Sequence, residues 1–158
     1  MVAHIVIEQF PQPDVKLDYF GGTSGTYAGF DRFGRVKDQK WIKATTVKDR
    51  YHYGYDYNSN RLWRQNTLTT GKDWAYTYDG LDRLAKAHRG VLDDPPSEGL
   101  LSKNFRHEWN LGPVGNWKGF NEGTGDAWTL EQTRENNEVN EIMGIGQADR
   151  QVLYSMPV

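Results

Sequence analysis

The sequence predicts an all-β fold: consecutive antiparallel β-hairpins laid side by side in a curved sheet. Three observations lead there. The apolar content is aromatic rather than aliphatic. The aromatics alternate along short runs. A short motif with turn residues at its centre recurs about every 25 residues.

The composition sets the first bounds. The chain has 158 residues, which fits one domain or a slice of a longer repeat array. It carries 9 Tyr, 6 Trp and 6 Phe against a net charge of only -2. Disordered chains are poor in aromatics and rich in net charge, so a folded chain with an aromatic interior is expected. Tyr and Trp supply large apolar area and favour strands, and 17 Gly supply turns. The near-neutral charge argues against a nucleic-acid partner, which calls for a basic excess. With no Cys there is no disulfide framework and no thiolate chemistry, and the compartment is left open. Val2 to Ile7 is too short for a secretory signal, carries His4 and runs into Glu8. Export would need a signal on a longer parent chain or a non-classical route. No apolar run approaches the ~18 residues of a membrane helix, so membrane insertion is not expected.

The elements follow in order. His4 to Phe20 holds two short strand candidates around Pro11 and Pro13, followed by a loop from Gly21 to Gly25. The first motif copy is Phe30-Asp31-Arg32-Phe33-Gly34-Arg35-Val36, and the second runs from Tyr55-Asp56 through Asn60 to Arg61-Leu62. The third is Tyr78-Asp79-Gly80-Leu81-Asp82-Arg83-Leu84. A fourth reads Trp109-Asn110 with Gly115-Asn116-Trp117. The aromatic positions 30, 55, 78 and 109 are separated by 25, 23 and 31 residues, the last gap widened by an acidic loop from Asp93 to Gly99. Repeat copies are placed near 27–50, 51–73, 74–92 and 105–130, with a partial copy over 131–158, all in one domain.

Each copy reads as a hairpin. Tyr51, Tyr53, Tyr55 and Tyr57 alternate, as do Trp74, Tyr76 and Tyr78, so each set projects from one strand face. Return strands are expected over Arg61 to Thr67 and Arg83 to His88. Asp at the head of each turn accepts from backbone N–H groups ahead of it. Gly34, Ser59, Asp82 and Gly115 occupy the place where a positive φ is expected. Arg35, Arg61 and Arg83 are expected to pair with an acid in their own or a neighbouring hairpin. Thr133 to Ile142 reads as a turn leading into a strand, and Gln151 to Val158 as a further strand. The one helix candidate lies around Glu98 to Phe105.

The segment Tyr76 to Leu84, with Tyr53 to Asp56, Asn60 to Leu62, Trp109-Asn110 and Gly115 to Trp117, resembles the YD repeat of the RHS family, in a bacterial, planctomycete-like form. The resemblance covers residues 9 to 145. It departs from the family pattern at Ser59 and Asp82, where Gly is usual, and at Trp109-Asn110, which stands where Tyr-Asp is usual. It implies a slice of a β-spiral shell, with the motif residues as structural turn elements. Related proteins enclose toxin cargo or form extracellular arrays, so a secreted or cell-surface location is implied. The self-cleaving core and toxin region of some relatives are not expected in this chain.

The expected function is therefore structural and non-catalytic, with neighbouring repeats, self-association or a protein partner. The alternative is a carbohydrate- or protein-binding module using exposed aromatics, for which Trp41, Tyr57 and Trp63 are the candidates because they flank or face away from the main ladders. A glycoside hydrolase is a lesser alternative, because the turns already use the Asp residues. No catalytic residue, cofactor or metal site is expected: His4, His52, His88 and His107 show no ligand spacing, and the acidic loop lacks that of a calcium site.

Overall fold

The computed structural model describes residues 6–7, 14–19, 28–93, 99–147 and 150–153. Its strands are β1 (Val6–Ile7), β2 (Lys16–Asp18), β3 (Asp38–Lys43), β4 (Thr46–Tyr55), β5 (Arg61–Asn66) and β6 (Asp73–Tyr78). They continue as β7 (Leu84–Leu92), β8 (Leu100–Leu111), β9 (Trp117–Thr124), β10 (Ala127–Asn136), β11 (Ile142–Gln147) and β12 (Arg150–Leu153). All twelve pair in chain order in one open antiparallel sheet. The fold is all-β and built from hairpins.

The sheet is one layer thick among the described residues. Only Tyr53, Ala75, Ala87 and Leu92 form a buried apolar set, and no large side chain is fully buried. Apolar contact therefore comes from neighbours on the same face. On one face a row runs across five strands as Tyr53, Arg64, Trp74, Arg89 and Phe105, each directly opposite the next. The Arg64 guanidinium lies 4.9 Å from the Tyr51 ring and 6.0 Å from Trp74. Arg89 lies 6.0 Å from Trp74 and 5.3 Å from Phe105. Each such contact contributes about 0.5–1 kcal/mol at a partly exposed site. The opposite face mixes large with small: Gly54, Trp63, Ala75, His88, Arg106, Gly123 and Trp128 share one row. Arg106 lies 4.0 Å over Trp128.

The two sheet edges differ. One carries the motif turns. The other carries connections of unequal length: Ala44-Thr45, residues 67–72, residues 93–99 and Gly125-Asp126.

The helix expected around Glu98 to Phe105 is instead strand. Leu100 to Leu111 forms β8, because these residues find partners on β7 from Lys86 to Leu92 and on β9, and tertiary pairing overrides local propensity; residue 98 lies outside the described residues. The third return strand starts at Leu84 and continues to Leu92, and the second ends at Asn66. The N-terminal strands are β1 and β2. Pro11 and Pro13, the loop from Gly21 to Gly25 and residues 154–158 lie outside the described residues. The first motif copy closes on a single bridge, Phe30 to Val36, rather than a hairpin of two strands.

Candidate functional site

The motif turns build the most regular feature of the molecule. Five turns, opening at Asp31, Asp56, Asp79, Gly112 and Asn137, share one hydrogen-bond pattern. In each, the N–H of the opening residue donates to the carbonyl four residues ahead. The N–H three residues ahead donates back to the opening carbonyl. All ten bonds measure 2.7–3.3 Å. The fourth residue always has positive φ: Gly34, Ser59, Asp82, Gly115 and Asn140 lie between 57° and 89°. This is a type I turn closed by a residue in the left-handed region, a known three-residue hairpin loop.

Asp is suited to open such a turn. Asp79 Oδ1 accepts from the N–H groups of Leu81 and Arg83 at 2.9 and 3.0 Å, while Oδ2 accepts from Arg83 Nε at 2.7 Å. Asp31 repeats this with Phe33 and Arg35. In the fifth turn Asn137 Oδ1 takes the two N–H groups. The side-chain hydrogen bond from Arg83 is the main cause that holds the Asp79 carboxyl down at about 2. At Asp31 burial opposes ionisation, but the bonds from Arg35 and Phe33 win and the value is again lowered.

A folded-state value below the unfolded one means stability present above about 4 and lost as pH falls toward about 2. The melting temperature is expected to drop across that window. Asp79→Asn is expected to flatten the drop, as read by circular dichroism melts at stepped pH. Parallel slopes for parent and variant would remove Asp79 from the account.

The turns are also tied to each other, by two alternating devices. Arg35 Nη1 donates to the Asp56 carbonyl at 2.8 Å, and Arg83 Nη1 donates to the Gly112 carbonyl at 2.8 Å. Between these, Asn60 Nδ2 donates to Asp82 Oδ1 at 2.8 Å, and Asn116 Nδ2 donates to Asn140 Oδ1 at 2.7 Å. Where the donor is the long Arg, the next turn offers a backbone carbonyl, joined in the case of Arg35 by the Ser59 hydroxyl at 3.3 Å. Where it is the short Asn, the next turn places a side-chain acceptor at its positive-φ position. That explains why Asp82 and Asn140 stand where Gly is the easier residue. The result is a continuous polar rail along one edge.

The motif tyrosines add a further tie. Tyr55 donates its hydroxyl to the Val36 carbonyl at 2.8 Å and Tyr78 to the Arg61 carbonyl at 3.0 Å, each reaching the preceding hairpin. The Tyr55 ring lies 4.7 Å under the Arg35 guanidinium. Each hairpin also shifts register just before its turn, at Gly54/Tyr55, Thr77/Tyr78, Asn110/Leu111 and Glu135/Asn136. The extra residue turns the next side chain to the other face.

Several expected roles move by one or two positions. Asn60, not Arg61, is the counterpart of Arg35 and Arg83; Arg61 lies 4.6 Å over the Tyr53 ring and makes no turn pair among the described residues. In the fourth copy the turn opens at Gly112, so Leu111 takes the motif aromatic's place. Leu111 pairs with Trp117 as Tyr78 pairs with Leu84. Trp109 instead packs on Phe120 and Trp117 at 5.8 and 6.2 Å. Asn110 lies opposite Gly119 in the ladder.

Trp41, Tyr57 and Trp63 are not brought together. Tyr57 is fully exposed at a turn tip. Trp63 is half-buried on the face opposite Tyr53, its indole seated on Gly54, where a Cβ would come within 2.1 Å. Trp41 is half-buried on β3, opposite Leu17 and Asp49. The larger aromatic surface is one the sequence reading did not assemble: Phe105, His107, Trp109, Trp117 and Phe120, drawn from β8 and β9, form one contiguous cluster.

A second polar network, on the opposite edge, was also not foreseen. Asp73 and Asn66 are buried. Asp73 accepts from the Asn66 N–H at 2.8 Å and the Leu92 N–H at 3.1 Å. Asn66 Oδ1 accepts from the Leu68 and Thr69 N–H groups, and its amide donates to Asp49. Isolated acids and amides at strand ends gave no periodic signal.

No protein-family model and no curated protein matches the sequence.

Proposed function

We propose that the chain is a non-catalytic structural strip of the YD-repeat (RHS) kind, a wall segment of a shell or surface array that encloses cargo or mediates contact. The observation that carries this reading is the rail: five turns of one geometry, each linked to the next. A rail of this kind serves repetition, since four successive turns each hand a donor to the next; the fifth turn ends on Glu141, an acceptor, where the others carry Arg or Asn. The turn carboxylates support the non-catalytic part. The Asp31, Asp56 and Asp79 side chains are each taken up by their own turn. The partners are neighbouring repeats or further copies.

A second reading, a carbohydrate-binding module, is favoured by one feature. The cluster from Phe105 to Phe120 lies on a face with no second layer over it among the described residues, and aromatic rings stack on apolar sugar faces.

Native mass spectrometry separates the two. The structural reading expects an oligomer without retained small molecule. A monomer that retains a saccharide, and loses it in Trp117→Ala, would replace it with the binding module.

A further inference from the structure

The tips of the five turns show a pattern that the turn itself does not require. The two central positions of a type I turn accept almost any residue, and solvent favours polar ones. Yet Phe33, Leu81, Val114 and Val139 occupy the second central position in four of the five turns, each 64–73% exposed. The remaining turn has Asn58 there, bonded to Asp82, and puts Tyr57 at the first central position, fully exposed. With two strands per turn, these tips are spaced about 10 Å apart along one edge. They form an apolar line along one edge: the Arg32 and Arg35 guanidiniums lie 4.7 and 5.2 Å from the Phe33 ring, and every other tip is exposed.

The first central positions show what fits against it. They read Arg32, Tyr57, Gly80, Pro113 and Glu138 in chain order. The line is basic at one end, acidic at the other, and bare of any side chain at its middle. Gly80 has open space around its Cβ direction.

We propose that this turn edge is a two-fold interface with a second copy of the chain, the axis passing at the third turn. That operation sets Arg32 against Glu138 of the other copy, and Glu138 against Arg32. It sets Tyr57 against Pro113, an aromatic ring on a pyrrolidine ring. It brings Leu81 to its own counterpart, with Gly80 allowing the approach. Phe33 meets Val139. A closed two-fold interface must be self-complementary in this way, because every contact is made twice. A copy with the same two-strand spacing also matches the line tip for tip. The contact is a narrow one, about 40 Å long, so the dimer is expected to be weak and rapidly reversible. The interface uses the turn edge only and leaves the outer strands β1 and β12 free for extension.

The test is sedimentation velocity over a concentration series at low salt. The parent is expected to dimerise reversibly. Leu81→Asp, which strikes the axis twice, is expected to raise the dissociation constant at least about tenfold. Arg32→Glu and Glu138→Arg are each expected to weaken the dimer about fivefold, and the double variant to return within about twofold of the parent. The substituted positions are exposed, so melting temperatures serve as the folding check. A parent that is monomeric throughout overturns the proposal. So does an assembly that none of the variants changes, which would run through the outer strands and leave the structural reading intact. Saccharide retention by a charge-sensitive dimer would sink that structural reading and leave the interface standing.

Discussion

Asp73→Ala is expected to destabilise the protein by about 2–5 kcal/mol, measured as a shift of the urea midpoint at constant slope. The carboxylate is 5% exposed and receives the Asn66 and Leu92 N–H groups, one on each oxygen. Alanine leaves both donors buried without a partner, and each orphaned group costs about 1–3 kcal/mol. The loss spreads beyond one hairpin, since Asn66 also organises the turn at Leu68 and Thr69 and reaches Asp49 on β4. Asp73→Asn keeps the shape but only one acceptor oxygen, so an intermediate loss is expected. If the alanine variant unfolds within about 0.5 kcal/mol of the parent, solvent reaches these donors and the network is not structural.

Gly90→Ala is expected to cost about 3 kcal/mol for a different reason. A Cβ at Gly90 would stand 1.7 Å from the Ser102 carbonyl oxygen and 2.8 Å from its carbon. The obstacle is backbone, so no rotamer relieves it and β8 must move. The close approach arises where the β7–β8 ladder shifts register between Arg89 and Gly90. The extra residue there, Asn104, bridges Arg89 to the Gly71 carbonyl, so moving β8 also breaks those bonds. Gly80→Ala is the control: its Cβ would meet nothing within 4 Å, and no stability loss is expected. Equal melting temperatures for the two variants would show that β8 accommodates the methyl group.

The hairpins were legible because their signals are local. Alternation placed Tyr51 to Tyr55 and Trp74 to Tyr78 in strands, and the turn residues marked the edge; it also carried Tyr57 onto the strand face, whereas the strand ends at Tyr55 and the turn opening at Asp56 sets Tyr57 at its tip. The positive-φ positions could be read even at Ser59 and Asp82, because the spacing from the opening Asp is fixed by the hydrogen bonds of the turn. What could not be read is anything that depends on a neighbouring strand. The offset of the fourth copy is one case: Trp109 outranks Leu111 as an aromatic, but the turn opens where Gly112 and Pro113 allow it. Arg61 is another, one residue past the rail and drawn onto Tyr53 by a register shift that has no signature in sequence. Arg64 and Arg89 look like ordinary polar alternation until the ladder sets them between rings. The Asn60–Asp82 and Asn116–Asn140 pairs were present as residues, but their complementarity shows only when successive turns are superposed.

The alternation of Arg and Asn donors along the rail imposes a parity on the molecule's growth. Removing the third hairpin alone would set Asn60 before Gly115, which has no side chain to receive its amide. Removing the third and fourth together would set Asn60 before Asn140, and the link could re-form. An Arg donor is indifferent to such edits, since every turn has an opening carbonyl. Repeats of this kind can therefore be gained or lost without penalty to the rail only in pairs, four strands at a time, unless the change falls behind an arginine. The opposite edge, whose connections already vary in length, carries no such rule.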